Sequence, residues 1–280
     1  MNAPDNCIFV CGVMRSGTSL LYQVICTSKD TNQFINANRY LTSQLALYAQ
    51  YSGTDSLFID DYFENKSEFR TFTIGIVEKF LAKAWACNGQ PNTLVLKSAE
   101  LTMFIPLLAD FLPAAKFVIS VREPKDTITS MLKVGERQRK ARLTTNLARI
   151  GHNIDALCTI FNNNYAPILK NLKTEGLNLE NRVLFVRYED IVNRSDETVA
   201  NVSQFCGISP GLLSKDGDWE KSINIEKVSR HAKWRTYLTE LSSQPISANS
   251  IGSYESVLSS ADCVKVDEQL NAIRKTFNYI

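Results

Sequence analysis

The residues from Cys7 to Leu21, Cys-Ile-Phe-Val-Cys-Gly-Val-Met-Arg-Ser-Gly-Thr-Ser-Leu-Leu, combine types suited to holding an anion. An apolar run leads into Gly12, Gly17 follows five positions later, and Thr18 and Ser19 come next. That is the spacing of a GxxxxGK[ST] phosphate loop with Thr18 in place of the lysine. The N–H groups of such a loop converge on an anion at a helix N-terminus, and Gly17 lets the backbone approach closely. Arg15 puts a fixed positive charge inside the loop. A glycine turn capped by Ser or Thr has a similar composition, but the preceding strand, the SGTS run and the arginine together favour the anion site. The absent lysine matters, because a kinase or ATPase uses it to hold the β- and γ-phosphates while Mg²⁺ is held by the Ser/Thr and a strand-end Asp. No strand here ends as four apolar residues and an Asp. Leu57-Phe-Ile-Asp60 comes nearest, and the run Lys116 to Val121 ends in Arg122 instead. The loop is expected to bind an anionic group without acting as a metal-dependent NTPase.

A second strand–turn–helix carries Arg122-Glu-Pro-Lys-Asp126 and then Ser130. Arg122 sits at the C-terminal end of a strand, where α/β sheets bind ligands. Pro124 shapes the turn, Asp126 is expected to cap the helix, and Ser130 falls in its first turns. A guanidinium, a hydroxyl and helix N–H groups can grip one phosphate. The alternative is a surface arginine beside a capped helix.

The elements that must position these groups follow from hydrophobic patterning. Ile8 to Gly12, Thr93 to Leu96, Lys116 to Val121 and Arg182 to Val186 are short apolar runs without alternation, the pattern of buried parallel strands. Helical segments are expected at Ser19 to Thr27, Arg70 to Trp85 and Thr102 to Phe111, with a long helical pattern at 126–173 and a closing helix from Asp262 to Phe277. The segment 32–69 is aromatic-rich and reads as an irregular insertion over the sheet, and Ser242 to Ser253 reads as a long loop. Strands alternating with helices argue for one α/β domain over 1–280, with a central parallel sheet flanked by helices.

Composition narrows the function classes. The chain has 280 residues, 44% hydrophobic and 21% charged, which excludes disordered, collagen-like and disulfide-miniprotein classes. The net charge of +2 gives no ground for nucleic acid or an anionic membrane as partner. No apolar run reaches the roughly 20 residues of a membrane helix, and the polar start of the chain does not read as a signal peptide. Seven cysteines without a CxxC pair suit reduced thiols in a cytoplasmic protein, and two distant histidines, His152 and His231, argue against a zinc site. No metal is expected.

RSGTS after a first strand, LKS at the end of another, R-E-P-K-D-x-x-x-S after the next, and a later strand ending in Tyr188-Glu-Asp190 together resemble the sulfotransferase family. The resemblance runs in order over roughly residues 7 to 192 and is weak in the C-terminal third. It implies a P-loop NTPase-like α/β fold and metal-independent in-line transfer of a sulfuryl group. The donor would be 3′-phosphoadenosine 5′-phosphosulfate (PAPS), leaving PAP as product. The acceptor would be a hydroxyl or amine on a small molecule or glycan. By the same resemblance, Arg15, Ser16, Gly17, Thr18 and Ser19 hold the 5′-phosphosulfate, Arg122 and Ser130 hold the 3′-phosphate, and Tyr188 packs near adenine. Arg15 and Lys97 suit the charge that builds on the leaving phosphate oxygen, and Lys97 falls on the lysine of the LKS motif.

The expected general base departs from the family pattern. Ala99 stands where many members have histidine, and Asn36 stands where another branch has glutamate. Glu100 is the replacement candidate, followed by His152, with Asp60, Asp61 and Glu64 also available. Arg137-Gln-Arg-Lys-Ala-Arg142 with Arg149 is a basic run that reads as a solvated helix face or as a holder of an acidic acceptor. Tyr40, Tyr48, Tyr51, Phe58, Tyr62 and Phe63 read as core or as an acceptor pocket. The family's late 3′-phosphate loop finds its nearest counterpart in Ser250 to Tyr254, which lacks the usual cations, leaving Arg230, Lys233 or Arg235 to compensate. A diverged P-loop kinase or hydrolase, and a non-catalytic nucleotide-binding protein of the same fold, are the alternatives.

Overall fold

The computed structural model describes residues 4–53, 57–211, 236 and 247–280, with backbone alone at 57 and 58. The apolar runs form a parallel sheet of β1 (Cys7–Cys11), β2 (Leu94–Lys97), β3 (Lys116–Val121) and β4 (Val183–Arg187), ordered β2-β1-β3-β4. Each strand lies within one residue of its expected position. The helices are α1 (Thr18–Cys26), α2 (Arg39–Ser52), α3 (Leu57–Asp60), α4 (Lys66–Cys87), α5 (Ile105–Phe111), α6 (Pro124–Lys140), α7 (Asn146–Ile150), α8 (Ile154–Asn171), α9 (Leu179–Arg182), α10 (Tyr188–Asn193), α11 (Ser195–Cys206), α12 (Ser260–Gln269) and α13 (Asn271–Thr276).

Alternation along each strand builds two cores. Phe9 and Cys11 of β1 point with Leu94, Leu96, Phe117 and Ile119 to one face, where α4, α5, α6 and α8 pack. Ile8 and Val10 point with Val95, Val118 and Val186 to the other, against Leu21 and Ile25 of α1 and Val199 and Val202 of α11. Phe9 and Phe117 stack at 5.7 Å between ring centres, and each is fully buried. Burying such a side chain contributes about 1.5–3 kcal/mol. β1 sits between the strand that follows it and the strand after that, so the chain reverses its winding direction at β1 and β3. Crevices form at such a switch point, beyond the C-terminal ends of the strands.

Several sequence expectations are corrected. The segment 32–69 is not irregular. It contains α2, started by Asn38, whose side chain accepts from Leu41 N at 3.1 Å. It also contains α3 and the start of α4, capped by Asn65. Aromatic residues scattered round these helices obscured the period. Leu57–Asp60 is helical, so its Asp does not end a strand.

The long pattern at 126–173 is three helices. α6 stops before Arg142, which has a φ of 55°; Thr145 caps α7 and Asn153 caps α8. Thr102 to Phe111 begins earlier as a 3₁₀ turn over Ala99–Phe104, and the closing helix breaks at Leu270. Asp126 is the third residue of α6 and not its cap, a place taken by Glu123. Arg230, His231, Lys233, Arg235 and the 242–246 part of the expected loop lie outside the described residues, as does the Phe58 side chain. Among the described residues, no helix is long and apolar enough to cross a membrane.

Candidate active site

The loop between β1 and α1 turns through three left-handed residues, Gly12 at φ 130°, Arg15 at φ 74° and Gly17 at φ 99°. Parallel pairing of Cys11 with Ile119 brings Gly12 against the next residue of β3. A Cβ built on Gly12 would lie 2.3 Å from Ser120 O, so only glycine fits. Three other elements hold the loop. Gly12 N donates to Thr102 Oγ1 at 2.7 Å, and Val13 N donates to Tyr165 Oη at 3.2 Å. Tyr165 Oη in turn donates to Ser120 O at 2.7 Å. Ser16 Oγ donates to Ser120 O at 3.1 Å, and Ser120 Oγ returns a bond to Ser16 O at 2.6 Å. Thr102, Ser120 and Tyr165 are thus loop-shaping residues that no sequence motif marked. All three are fully buried.

Two cations converge beside the start of α1, whose first turn has no side-chain cap. Lys97, at the end of β2, donates from Nζ to Ser19 Oγ at 2.9 Å and lies 5.9 Å from the centre of the Phe34 ring. Burial, and then the positive charge of Arg15, push the Lys97 ammonium down to about 8. Arg15 donates from Nε to Ser130 Oγ at 3.1 Å. Ser130 therefore meets the loop arginine, joining α6 to the loop after β1.

Arg122 lies just beyond β3 and is 6% exposed. Its guanidinium sits 4.7 Å over the Tyr188 ring and donates through Nη2 to Ser250 O, while its buried Nε has no hydrogen-bond partner. Tyr188 Oη and Ser250 Oγ are 2.6 Å apart. The other edge of Tyr188 presses on the phosphate loop: a Cβ on Gly17 would meet its Cδ2 at 2.6 Å. One tyrosine therefore joins the loop to Arg122. The segment 250–254 is held there by Asp126, which accepts from Gly252 N at 2.8 Å and from Ser253 Oγ and Tyr254 N, each at 3.1 Å. An unpaired buried guanidinium nitrogen and two gathered cations suit a ligand with two anionic groups.

The base candidates are spread out. Glu100, on the 3₁₀ turn after β2, is exposed and lies 3.9 Å from Arg39 Nη2. His152 Nε2 is 3.1 Å from Asp262 Oδ2, in the capping box that opens α12. Asp60, at the end of α3, and Asp61 and Glu64, between α3 and α4, are exposed. The basic run makes local contacts. Arg137 Nε donates to Thr236 O at 3.1 Å, Lys140 pairs with Glu136 at 2.7 Å, and Arg149 donates to Thr144 O at 3.3 Å. Tyr48 and Phe63 pack around Phe69, whereas Tyr40 and Tyr62 are 51% and 80% exposed.

A parallel α/β sheet thus carries, at its switch point, a lysine-free glycine loop of P-loop-like spacing, with Arg122 facing it across Tyr188. Residues 7–210 match the model of the sulfotransferase family, and the chain belongs to that family. No curated protein sequence matches it. Solved structures share the fold. The sulfotransferase domain from the curacin biosynthetic pathway is 18% identical with a TM-score of 0.56, covering 97% of this chain and 99% of that one. The sulfotransferase domain of the Synechococcus PCC 7002 olefin synthase is 15% identical at 0.53, covering 97% and 96%. Mouse sulfotransferase SULT7A1, complexed with PAP, is 14% identical at 0.50, covering 98% and 85%.

Proposed function

We propose that the chain transfers a sulfuryl group from PAPS to a hydroxyl or amine on a small-molecule or carbohydrate acceptor. The observation that carries this reading is the position of Tyr188, against Gly17 on one side and Arg122 on the other. That contact brings the Arg15 loop and Arg122 together, which supports a donor carrying both a 5′-phosphosulfate and a 3′-phosphate. The family and the PAP complex of the mouse relative support the same donor.

In this reading Arg15, Ser16, Gly17, Thr18 and Ser19 take the 5′-phosphosulfate, through loop and helix N–H groups and the Arg15 charge. Arg122 takes the 3′-phosphate, its orphaned Nε supplying a donor already desolvated. Ser130, which Arg15 meets through Nε, joins Arg122 as a 3′-phosphate ligand, and Tyr188 packs near adenine. When bound, the donor supplies an activated sulfuryl group. Arg15 and Lys97 then stabilise the charge that grows on the leaving oxygen, and their fixed placement is the main catalytic contribution. Glu100 takes the acceptor proton, steered by Arg39. His152 is the weaker candidate, since its imidazole is engaged by Asp262.

Calorimetric titration with PAP, ADP and ATP, with and without Mg²⁺, tests the donor. Tight, metal-independent preference for PAP is expected. Preference for ATP with Mg²⁺ would move the chain to nucleotide-phosphate chemistry, and binding of none would leave a fold without the reaction.

A further inference from the structure

The residues that follow Arg122 and Tyr188 in the chain are both glutamates, bonded to each other, and one tyrosine from far along the sequence anchors the second of them. Glu189 accepts from Glu123 N through Oε1 at 3.0 Å and from Tyr279 Oη through Oε2 at 2.7 Å. Glu123 itself is 3.3 Å from Arg274 Nε, with side chains 14% and 9% exposed. Arg274 is held to Tyr279 in both directions: Tyr279 N donates to Arg274 O at 2.9 Å, and Arg274 Nη2 donates to Tyr279 O at 3.3 Å. Asp267 takes the remaining face of Arg274 and also pairs with Lys125 at 3.1 Å. The Arg187 guanidinium, at the end of β4, lies 4.5 Å over the Tyr279 ring.

These contacts tie two separate turns together. One runs from β3 to α6 and carries Arg122; the other runs from β4 to α10 and carries Tyr188. Neither glutamate faces the crevice through these bonds, yet each is covalently next to a residue that does. A hydrogen bond to a charged carboxylate is stronger than one between neutral groups, enough to favour one arrangement of a short turn. Without the Tyr279 hydroxyl, Glu189 Oε2 loses that bond, and the bridge to Glu123 N loses its anchor. Rotation of the β3–α6 turn then moves Arg122, whose Nε has no other bond to hold it.

We propose that Tyr279 is a positioning residue for the donor crevice, acting through Glu189 and Glu123 to set the guanidinium of Arg122. The proposal rests on the donor reading above. Because Arg122 faces the 3′-phosphate, the effect falls on selection for that phosphate and leaves the 5′ end alone.

The test compares adenosine 3′,5′-bisphosphate with adenosine 5′-monophosphate by calorimetry in the wild-type protein, Tyr279→Phe and Glu189→Gln. Thermal melts monitor the fold. In Tyr279→Phe the bisphosphate is expected to bind about tenfold more weakly, while the monophosphate changes less than about twofold. Glu189→Gln removes the shared charge at constant size and is expected to lose selectivity in the same direction. Unchanged selectivity in both variants, or equal losses for both ligands, overturns the proposal, since a merely structural role weakens both alike. A wild-type protein with no preference for the bisphosphate would sink the donor reading itself and this proposal with it.

Discussion

Lys97 is a lysine whose charge is poised to respond to pH. Burial and the neighbouring Arg15 bring its ammonium down to about 8 in the unliganded site. The protonated form is the one that attracts an anion, so affinity should be full below that value and fall above it. Anion binding draws a proton onto Lys97, and the dissociation constant for PAP should rise by up to about tenfold per pH unit beyond pH 8. Phosphate monoesters lose their second proton near pH ~6, so titrations from pH 7 upward isolate the lysine. In Lys97→Met the step should vanish; a flat wild-type profile would remove Lys97 from the anion site. Glu100 makes a different prediction at the same scale. Glu100→Gln should lower turnover by about 10²–10⁴-fold, the range for general base catalysis, with PAP affinity within about twofold. Unaltered turnover would place the base elsewhere.

At the scale of elements, the phosphate loop is a strand end whose shape is imposed by its neighbours. Pairing of β1 with β3 forces Gly12 onto Ser120, and Thr102 and Tyr165 take its N–H groups. Gly12→Ala should cost about 2–4 kcal/mol, from overpacking and a left-handed backbone. A denaturant midpoint within error of the wild type would contradict this close approach. The loop's presence was legible in the spacing of Gly12, Gly17 and Ser19, and its strand in the run from Ile8. The clamp was not, because Thr102 and Tyr165 lie on a turn and a helix whose apolar patterns say nothing about where a single hydroxyl points. Asp126 had a similar fate. A carboxylate near a helix start reads as a cap, but a loop more than a hundred residues away claims it.

For the whole molecule, the sheet was legible because buried parallel strands are continuous apolar runs, and all four appear within one residue of their expected places. The helices around it were harder to read. α2 hid among aromatics, and the span from α6 to α8 concealed two breaks, one of them an arginine at φ 55°. The residues of the site are spread along the whole chain, and only tertiary packing brings Tyr188 onto Gly17 or Ser250 onto Arg122.

The Tyr165 hydroxyl, shared between Val13 and Ser120, has a consequence for how the protein forms. A loop held by a side chain some 150 positions away cannot take its working shape while only the first half of the chain has been synthesised. The first strand and helix can collapse early, but the anion cradle has to wait for α8 and then for Tyr188 and Ser250. In the proposed function, donor capture is therefore a late event in folding, and a bound nucleotide should slow unfolding while leaving the early steps of refolding unchanged.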